Sequence, residues 1–320
     1  MRLVRPVPAE ALLGLRAMKT VASAGGAVGP SQRALMEAAK QVLLRIDADI
    51  DSLAPIDPAG FAAGFPNDVL RNQFVNGLLV VALADGVPAP AVTASVEAFA
   101  QALGVDAPAL RDFRQLTQHH MVLFRFDFWR HGHIGQIMRN QLDQHGILAL
   151  AKSVLGLRGL VEDTELAAKY RAWERLPQDT LGYAVWHYYQ TNGFALPGER
   201  TGFPEAGLYH DFSHVLGGYN TDPPGEIEVA AFTAGYKQYR PIYVVLFAVL
   251  IFSTGIDMRP VPGYSRAGIL REPGMAARMF AALERGGAVR VDLSDKWDYW
   301  PYVELPIVEA RHRLGIPPAQ

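Results

Sequence analysis

Apolar residues recur every three or four positions along most of this chain, which is the spacing of one face of an α-helix. Residues 35–42 and 79–83 follow the pattern clearly. Alternation of apolar and polar residues, which is typical of a half-buried strand, is scarce. Its best example is the short stretch 288–293. The sequence therefore predicts an all-α fold.

The longest apolar stretch, residues 241–256, holds 16 residues between Arg240 and Asp257. A helix that spans a membrane needs about 20 apolar residues. We therefore expect a helix buried in the protein core rather than a membrane span.

The first third of the chain contains a weak internal repeat. Residues 21–26, VASAGG, precede a predicted helix that begins near Pro30. Residues 81–86, VALADG, precede a predicted helix that begins near Pro88. In both copies glycine ends one helix and proline starts the next. The repeat predicts two helical hairpins that pack together.

This part of the chain, about residues 10–105, resembles the TerB-like helical domain, which is named after tellurite-resistance proteins. Acids in some TerB-like loops are thought to bind metal. Here the first loop carries Gly25 and Gly26, and only the second loop keeps an acid, Asp85. The resemblance therefore implies a small helical bundle of duplicated hairpins with a structural or docking role.

Composition narrows the classes of function. The 320 residues suit two domains, and 50% of them are hydrophobic, which is enough for each domain to bury a core. The formal net charge of -2 lacks the basic excess of nucleic-acid-binding proteins. Without cysteine, a metal would need imidazole and oxygen ligands. The N-terminus carries no recognisable secretion signal, so the cytoplasm is the expected location.

Residues 106–134 form a predicted helical connector that is rich in histidine and aromatic residues. A metal site in this connector is one interpretation, but adjacent histidines on a helix point about 100° apart. We favour an aromatic packing face with partly exposed histidines. The histidines concerned are His119, His120, His131 and His133.

The strongest chemical signal is a group of histidines and acids in the second half of the chain. His210 and His214 lie one helical turn apart on one face, so both imidazoles can approach one ion. Asp211 is rotated by one residue and would reach sideways as a ligand or support a histidine. The helix should end near Gly217–Gly218, and Glu226 should open a second helix that faces the first. Such a hairpin can bring these four side chains to one divalent metal ion.

The same residues also admit a purely structural interpretation. The helix dipole stabilises an acid such as Glu226 at a helix start, and His210 and Asp211 suit a first helical turn. Short motifs of this kind also arise by chance. Spacing by itself leaves both interpretations open.

The pattern H-D-x-x-H, followed after eleven residues by E, resembles the signature of the Coq4 family of ubiquinone-biosynthesis proteins. Residues 176–184 resemble its L-P-x-x-T-L-G stretch, and Gly225–Glu226 resemble its G-E. Residues 305–316 resemble its closing L-P-x-x-x-x-R-x-x-L-G-I. The similarity covers about residues 135–318. Ser213 stands where that family usually carries an aromatic residue.

The Coq4 resemblance implies a helical, metal-binding domain over residues 135–320. It follows the TerB-like domain at 1–105 and the connector at 106–134. The implied ligands are His210, Asp211, His214 and Glu226, and imidazole with carboxylate suits zinc, iron or manganese.

The Coq4 family is tied to ubiquinone (coenzyme Q) synthesis. It is implicated in removing the carboxyl group at C1 of a prenylated aromatic precursor, with hydroxylation there. The resemblance implies this lipid precursor as substrate, other quinone-biosynthesis enzymes as partners, and peripheral attachment to the inner membrane. Helix 241–256 is a candidate wall of an apolar tunnel for the prenyl tail, with plain core packing as the alternative. No catalytic acid or base is assigned, and a homodimer is left open.

Two other interpretations remain. The chain can be a non-catalytic lipid-binding scaffold that organises quinone-biosynthesis enzymes and holds a structural metal. It can also be a metal-dependent phosphohydrolase, since such enzymes use H-D pairs. That activity would need His187 and Asp257 as further ligands, and nothing in their sequence setting supports this role.

Overall fold

The structure, a computed structural model, is built from helices. It describes residues 3–65, 67–132, 135–136, 138–139, 142, 161–258, 266–294 and 296–318. The α-helices of these residues are α1 Pro8–Ser23, α2 Pro30–Ala38, α3 Pro58–Ala63, α4 Asp68–Leu83, α5 Pro90–Ala102, α6 Pro108–Thr117, α7 Met121–His131, α8 Thr164–Arg171, α9 Leu181–Asn192, α10 Leu208–Gly217, α11 Pro223–Tyr236, α12 Ile242–Val249, α13 Met275–Gly287 and α14 Ile307–Leu314. Two of them continue as π-helical turns, α2 through Ala39–Leu44 and α12 through Leu250–Thr254.

The prediction of an all-α fold is confirmed, because the described residues contain helices and no strand. The β-type pairing among them is one isolated antiparallel bridge between Thr180 and Pro306. Residues 288–293, the best strand candidate in the sequence, form turns and irregular backbone after α13. A short alternating stretch needs a partner strand, and the described part of the chain offers none.

Both copies of the N-terminal repeat form helical hairpins. Each first helix runs into a turn with a glycine at positive φ, 126° at Gly26 and 130° at Gly86. Residues with a Cβ rarely adopt this conformation. The second helices begin at Pro30 and Pro90. The start at Pro90 lies two residues after the predicted one, because the backbone stays extended through Ala89.

Asp85, the acid in the second loop of the repeat, holds the first hairpin in place. Its carboxylate accepts hydrogen bonds from the backbone N–H groups of Ser31 (3.0 Å) and Gln32 (2.9 Å) in the first turn of α2. Such groups have no partner within the helix itself. Asp85 also forms an ion pair with Arg271 (3.4 Å) from the C-terminal half. The role of Asp85 in this structure is therefore to cap a helix and join two parts of the chain.

One hydrophobic core extends through the described chain, from Ala11 in α1 to Ile316 after α14. The helix α13 packs against α2, and α12 packs against α4. The hydroxyl of Ser253 also donates to the backbone carbonyl of Ala84 (2.7 Å). The domain boundaries at residues 105 and 134 stay a prediction, and the segments on either side of them share this core.

The helices α11 and α13 cross at very short distance. A Cβ added to Gly286 would lie 1.9 Å from the carbonyl oxygen of Phe232, and a Cβ added to Gly235 would lie 2.5 Å from the backbone of Gly286. Only glycine allows two backbones to approach this closely. The crossing fixes the position of α11, which carries Glu226.

The apolar stretch 241–256 forms the buried helix α12 and its π-helical turn, as predicted. Its buried side chains include Leu246, Val249 and Ile251. Among the helices of the described residues, none has the length and apolar character that crossing a membrane requires.

The connector contains the predicted aromatic packing face, with Phe124 and Phe128 buried. Nδ1 of His131 lies 3.1 Å from the buried carboxylate of Asp112, which also accepts a hydrogen bond from the Tyr243 hydroxyl (2.5 Å). His119 and His120 are exposed, and His133 lies outside the described residues. The sequence did not predict the contact between His131 and Asp112, because Asp112 lies on another helix, 19 residues earlier.

Candidate metal centre

The hairpin of α10 and α11 forms as predicted, with one change at its turn. Gly218, at φ 72°, ends α10. The helix α11 begins at Pro223, three residues before the predicted start at Glu226. The helix starts earlier because Asp222 caps its N-terminus: the Asp222 carboxylate accepts a hydrogen bond from the N–H of Gly225 (2.9 Å). Glu226 therefore lies within the first turn of α11, where its backbone is firmly held.

The loop before α11 is packed too tightly for a side chain at Gly225. A Cβ there would lie 2.1 Å from the carbonyl oxygen of Asn220. The hydroxyl of Thr221 donates to the Asn192 side chain (3.0 Å) at the end of α9. Glycine before Glu226 thus lets the loop fold close to the helix start, which directs Glu226 toward α10.

The structure brings His210, His214 and Glu226 together. The Nε2 atoms of the two histidines are 3.1 Å apart. One Glu226 oxygen lies 3.5 Å from Nε2 of His210, and the other lies 3.4 Å from Nε2 of His214. Ligand atoms bound tetrahedrally to zinc at about 2.0 to 2.1 Å are about 3.3 to 3.4 Å apart. The measured separations are close to this spacing, and the three side chains could therefore hold one metal ion.

The hydrogen bond on the far side of the His214 ring prepares this histidine for metal binding. Its Nδ1 lies 3.1 Å from the carbonyl oxygen of Tyr219, an acceptor, so Nδ1 must carry the proton of this bond. In the neutral ring the lone pair is then on Nε2, the atom that faces His210 and Glu226. The His214 side chain is fully buried, which keeps this orientation fixed.

The charges of the three side chains depend on one another. Burial tends to raise the pKa of Glu226, but hydrogen bonds and positive charge from His210 and His214 outweigh it and lower this pKa to about 2. Burial tends to lower the pKa of His210, and the hydrogen bond and charge of Glu226 outweigh it and raise this pKa. Glu226 is therefore an anion at neutral pH and favours a cation between the two rings.

Asp211, the fourth predicted ligand, is not among the three side chains whose ligand atoms converge. Its carboxylate accepts a short hydrogen bond from the hydroxyl of Tyr189 in α9. Burial raises the pKa of Asp211, while the charge of His210 and the bond from Tyr189 act against that rise. The carboxylate thus lies beside the centre and is held by α9, and its direct binding to a metal stays a prediction.

An aromatic wall, which the sequence patterns did not predict, borders the centre. The ring of Tyr188 stacks on His214, with centroids 5.7 Å apart and planes 26° from parallel. Phe194, whose side chain is 44% exposed, packs edge-on against Tyr188. Burial raises the pKa of Tyr188, with the charges of Asp211 and Glu226 adding to the rise. Tyr188 is therefore a neutral aromatic neighbour of the ligand His214.

Two arginines stabilise the C-terminal end of α10. Arg311 of α14 donates to the backbone carbonyls of Leu216 and Val215, both at 3.0 Å. Arg285 of α13 donates to the carbonyl of Gly217. The last carbonyls of a helix have no partner within it, so these bonds hold the end of the helix that carries both histidines.

The sequence segments 176–184 and 305–316 meet beside this arrangement. The backbone N–H of Leu181 donates to the carbonyl of Leu305 (2.9 Å), and the N–H of Ile307 donates to the carbonyl of Asp179 (2.8 Å). Because the second segment also carries Arg311, it links α9 to α10. Both segments therefore position the helices of the centre.

The centre is open on one side. The His210 side chain is 42% exposed and Glu226 is 25% exposed, whereas His214 is fully buried. His187 is exposed and lies beside Thr191 of its own helix. Neither His187 nor Asp257 belongs to the group of converging ligands, so the ligand set of a phosphohydrolase is not assembled here.

A scan against models of known protein families found no match to this chain. A search of the curated proteins likewise found no similar sequence.

Proposed function

We propose that this chain is a metal-dependent enzyme of ubiquinone biosynthesis related to the Coq4 family. It would act at C1 of a prenylated aromatic precursor, where the carboxyl group would leave as CO2, and O2, with a two-electron reductant, would supply the hydroxyl oxygen and form water. The observation that carries the proposal is the convergence of His210, His214 and Glu226 on one point with an open side. A zinc, iron or manganese ion held there would supply Lewis-acid or redox chemistry.

The number of converging ligands supports catalysis over a structural metal. Catalytic zinc sites commonly combine three protein ligands with one open position, whereas structural sites are closed by four. Here the hydroxyl of Tyr189 holds Asp211 to one side, and the exposed edge of His210 borders the opening. A carboxylate or phenolate oxygen of a substrate can approach from that side.

The side chains around the opening suit an aromatic substrate. Tyr188 stacks on the ligand His214, the exposed Phe194 packs against Tyr188, and aromatic pairs favour offset or edge-to-face contact. The anionic Glu226 stabilises a cation rather than a free carboxylate. A substrate carboxylate would therefore approach this site only with the metal in place.

The alternative is a non-catalytic lipid-binding scaffold that organises other quinone-biosynthesis enzymes around a structural metal. The exposed apolar residues of α7 favour it, with Val122 84% exposed, Leu123 56% and Phe126 64%. Clusters of exposed apolar side chains often mark protein or membrane contacts. Both candidate functions place the protein at the periphery of the inner membrane, in contact with a lipid precursor.

The test combines metal analysis with quinone production. The purified protein should contain about one divalent metal ion per chain, as measured by inductively coupled plasma mass spectrometry. His214→Ala and Glu226→Ala should lose this metal and abolish quinone production in cells that depend on this chain. Each substitution removes a ligand from the centre and leaves the metal too few protein donors.

His120→Ala is the matched control, because His120 is exposed and far along the chain from the centre. It should keep both metal and quinone production. Full quinone production by metal-free His214→Ala would contradict the proposed enzyme activity and would leave the scaffold function as the alternative. A wild-type protein without any metal would overturn both candidate functions.

A further inference from the structure

A cavity of about 220 Å³ lies where the N-terminal and C-terminal helices meet. Its walls come from α1, α4, α11, α12 and α13, from residues 3–6 and from the π-helical turn Ala39–Leu44. A cavity of about 150 Å³ in a protein core takes one benzene molecule. The volume therefore suits a molecule of one or two rings and is too small for a long aliphatic chain.

The side chains of the walls favour an aromatic ring. Phe74 and Phe280 line the cavity, and aromatic rings attract one another in offset or edge-to-face contact. Met18 and Met279 line it as well, and a thioether sulfur makes favourable contacts with aromatic rings. Methionine is also flexible and unbranched, so these two side chains can adapt to the outline of a ligand.

The charges along the cavity cancel. Among the described residues of the lining, the charged ones are Arg5 and Glu284. The guanidinium of Arg5 lies 2.9 Å from the carboxylate of Glu284, so each charge already has a partner. An ionic ligand would lose its hydration on entering these apolar walls without gaining a free counter-charge. The lining therefore favours a neutral molecule.

Gly77 borders the open space from the middle of α4. Glycine in the interior of a helix lowers stability relative to alanine. Nothing lies within 4 Å of a Cβ added to Gly77, so no neighbouring atom requires glycine there. Gly77 belongs to the lining of the cavity. Side chains around such an unfilled space lack dispersion contacts, which a bound molecule would supply.

The cavity is separate from the metal centre. None of the converging metal ligands belongs to its described lining. Gly235, which lines it from α11, lies roughly 13 Å along the helix axis from Glu226. At about 100° per residue, the two positions also lie on opposite sides of α11. The site is therefore independent of the proposed enzyme activity.

We propose that this cavity binds one small, neutral aromatic molecule of one or two rings, such as an indole or an alkylbenzene. The volume sets the size of the ligand, the phenylalanine and methionine side chains select a ring, and the paired charges select neutrality. The bound molecule would contact helices of both halves of the chain and would strengthen their association.

The first test measures the binding of indole to the full-length protein by titration calorimetry. We expect one molecule per chain. Gly77→Leu should bind indole at least about tenfold more weakly, because the leucine side chain would occupy the cavity. Leucine is a better helix former than glycine, so this variant should fold at least as stably as the wild type, which thermal unfolding checks.

Asn72→Leu is the matched control. It adds the same side chain to α4, at an exposed position that does not line the cavity. It should bind indole within about threefold of the wild type, since the cavity stays open. Binding of indole to Gly77→Leu as tightly as to the wild type, or no binding to the wild type, would overturn the proposal.

Two pairs of molecules test the class of ligand. Indole-3-acetate adds a carboxylate to the ring of indole and should bind the wild type at least about tenfold more weakly than indole. Toluene should bind at least about threefold more tightly than methylcyclohexane, which has the same carbon skeleton without the aromatic ring. Equal affinity within the first pair would overturn the assignment of a neutral ligand, and within the second pair that of an aromatic one.

Discussion

At the scale of single residues, the candidate centre depends on how each side chain is oriented by a second partner. His214 donates from Nδ1 to the Tyr219 carbonyl, which leaves Nε2 to face the other ligands. Asp211 is held by Tyr189 and is not among the three side chains whose ligand atoms converge. These partners orient two of the four predicted ligands, His214 and Asp211.

The first prediction concerns Asp211. Asp211→Ala should keep about one metal per chain but lower metal affinity roughly 10- to 100-fold, because a supporting carboxylate next to a ligand is lost. Competition with a chelator of known affinity measures the change. If Asp211→Ala instead loses its metal as completely as His214→Ala, Asp211 is a direct ligand and the centre has four protein ligands.

The second prediction concerns pH. The hydrogen bond and charge of Glu226 outweigh burial and raise the pKa of His210, so this imidazole holds its proton at higher pH than a free histidine. A metal binds only the neutral imidazole, and protons therefore compete with it. Below the pKa of His210, affinity should fall about tenfold per pH unit for each proton displaced. Chelator competition between pH 5 and 8 measures this, and a flat profile would contradict it.

At the scale of elements, the helix α10 is stabilised by arginines from two other helices. Arg311 and Arg285 donate hydrogen bonds to the backbone carbonyls at its C-terminal end. Gly218 completes the end of the helix with its left-handed backbone. The histidines thus lie on a short helix whose end is secured by distant parts of the chain.

The third prediction tests this cap. Arg311→Ala leaves the carbonyls of Val215 and Leu216 without their donor and should lower the free energy of unfolding by about 1 to 3 kcal/mol. Urea denaturation followed by circular dichroism measures it. Arg313→Ala is the matched control on the same helix, since Arg313 pairs only with the exposed Glu309 (2.7 Å) in the described structure. Equal loss of stability in both variants would rule out the capping role.

At the scale of the whole molecule, the two predicted domains share their apolar surfaces. The helix α13 packs against α2 and its π-helical turn, and α12 packs against α4. Asp85 and Arg271 add an ion pair across the same interface. The N-terminal helices therefore cover apolar side chains of the C-terminal half.

The fourth prediction follows from that cover. A fragment of residues 106–320 should expose Met279, Phe280 and Leu283, which line a cavity shared with the N-terminal helices α1 and α4. Large exposed apolar patches promote association. The fragment should therefore aggregate or elute as large species in size-exclusion chromatography, whereas the full chain does not. A monomeric fragment with cooperative unfolding would show that the two predicted domains fold independently.

The sequence by itself determined the features that depend on residues close together along the chain, which are the helices and the turns between them. Helical periodicity predicted the all-α fold, and Gly217–Gly218 together with Glu226 predicted the hairpin of α10 and α11 to within three residues. The spacing of His210 and His214 placed both imidazoles on one helix face, because four residues make about one helical turn. These are short-range consequences of backbone geometry.

Only the tertiary structure decided what surrounds those residues. Tyr189, Arg311 and Arg285 come from helices that are distant in sequence, and no local pattern marks them as neighbours of α10. The cavity beside Gly77 is likewise lined by several helices, by residues 3–6 and by the π-helical turn Ala39–Leu44. The number of direct metal ligands depends on packing between distant segments, and periodicity along the chain does not encode that packing.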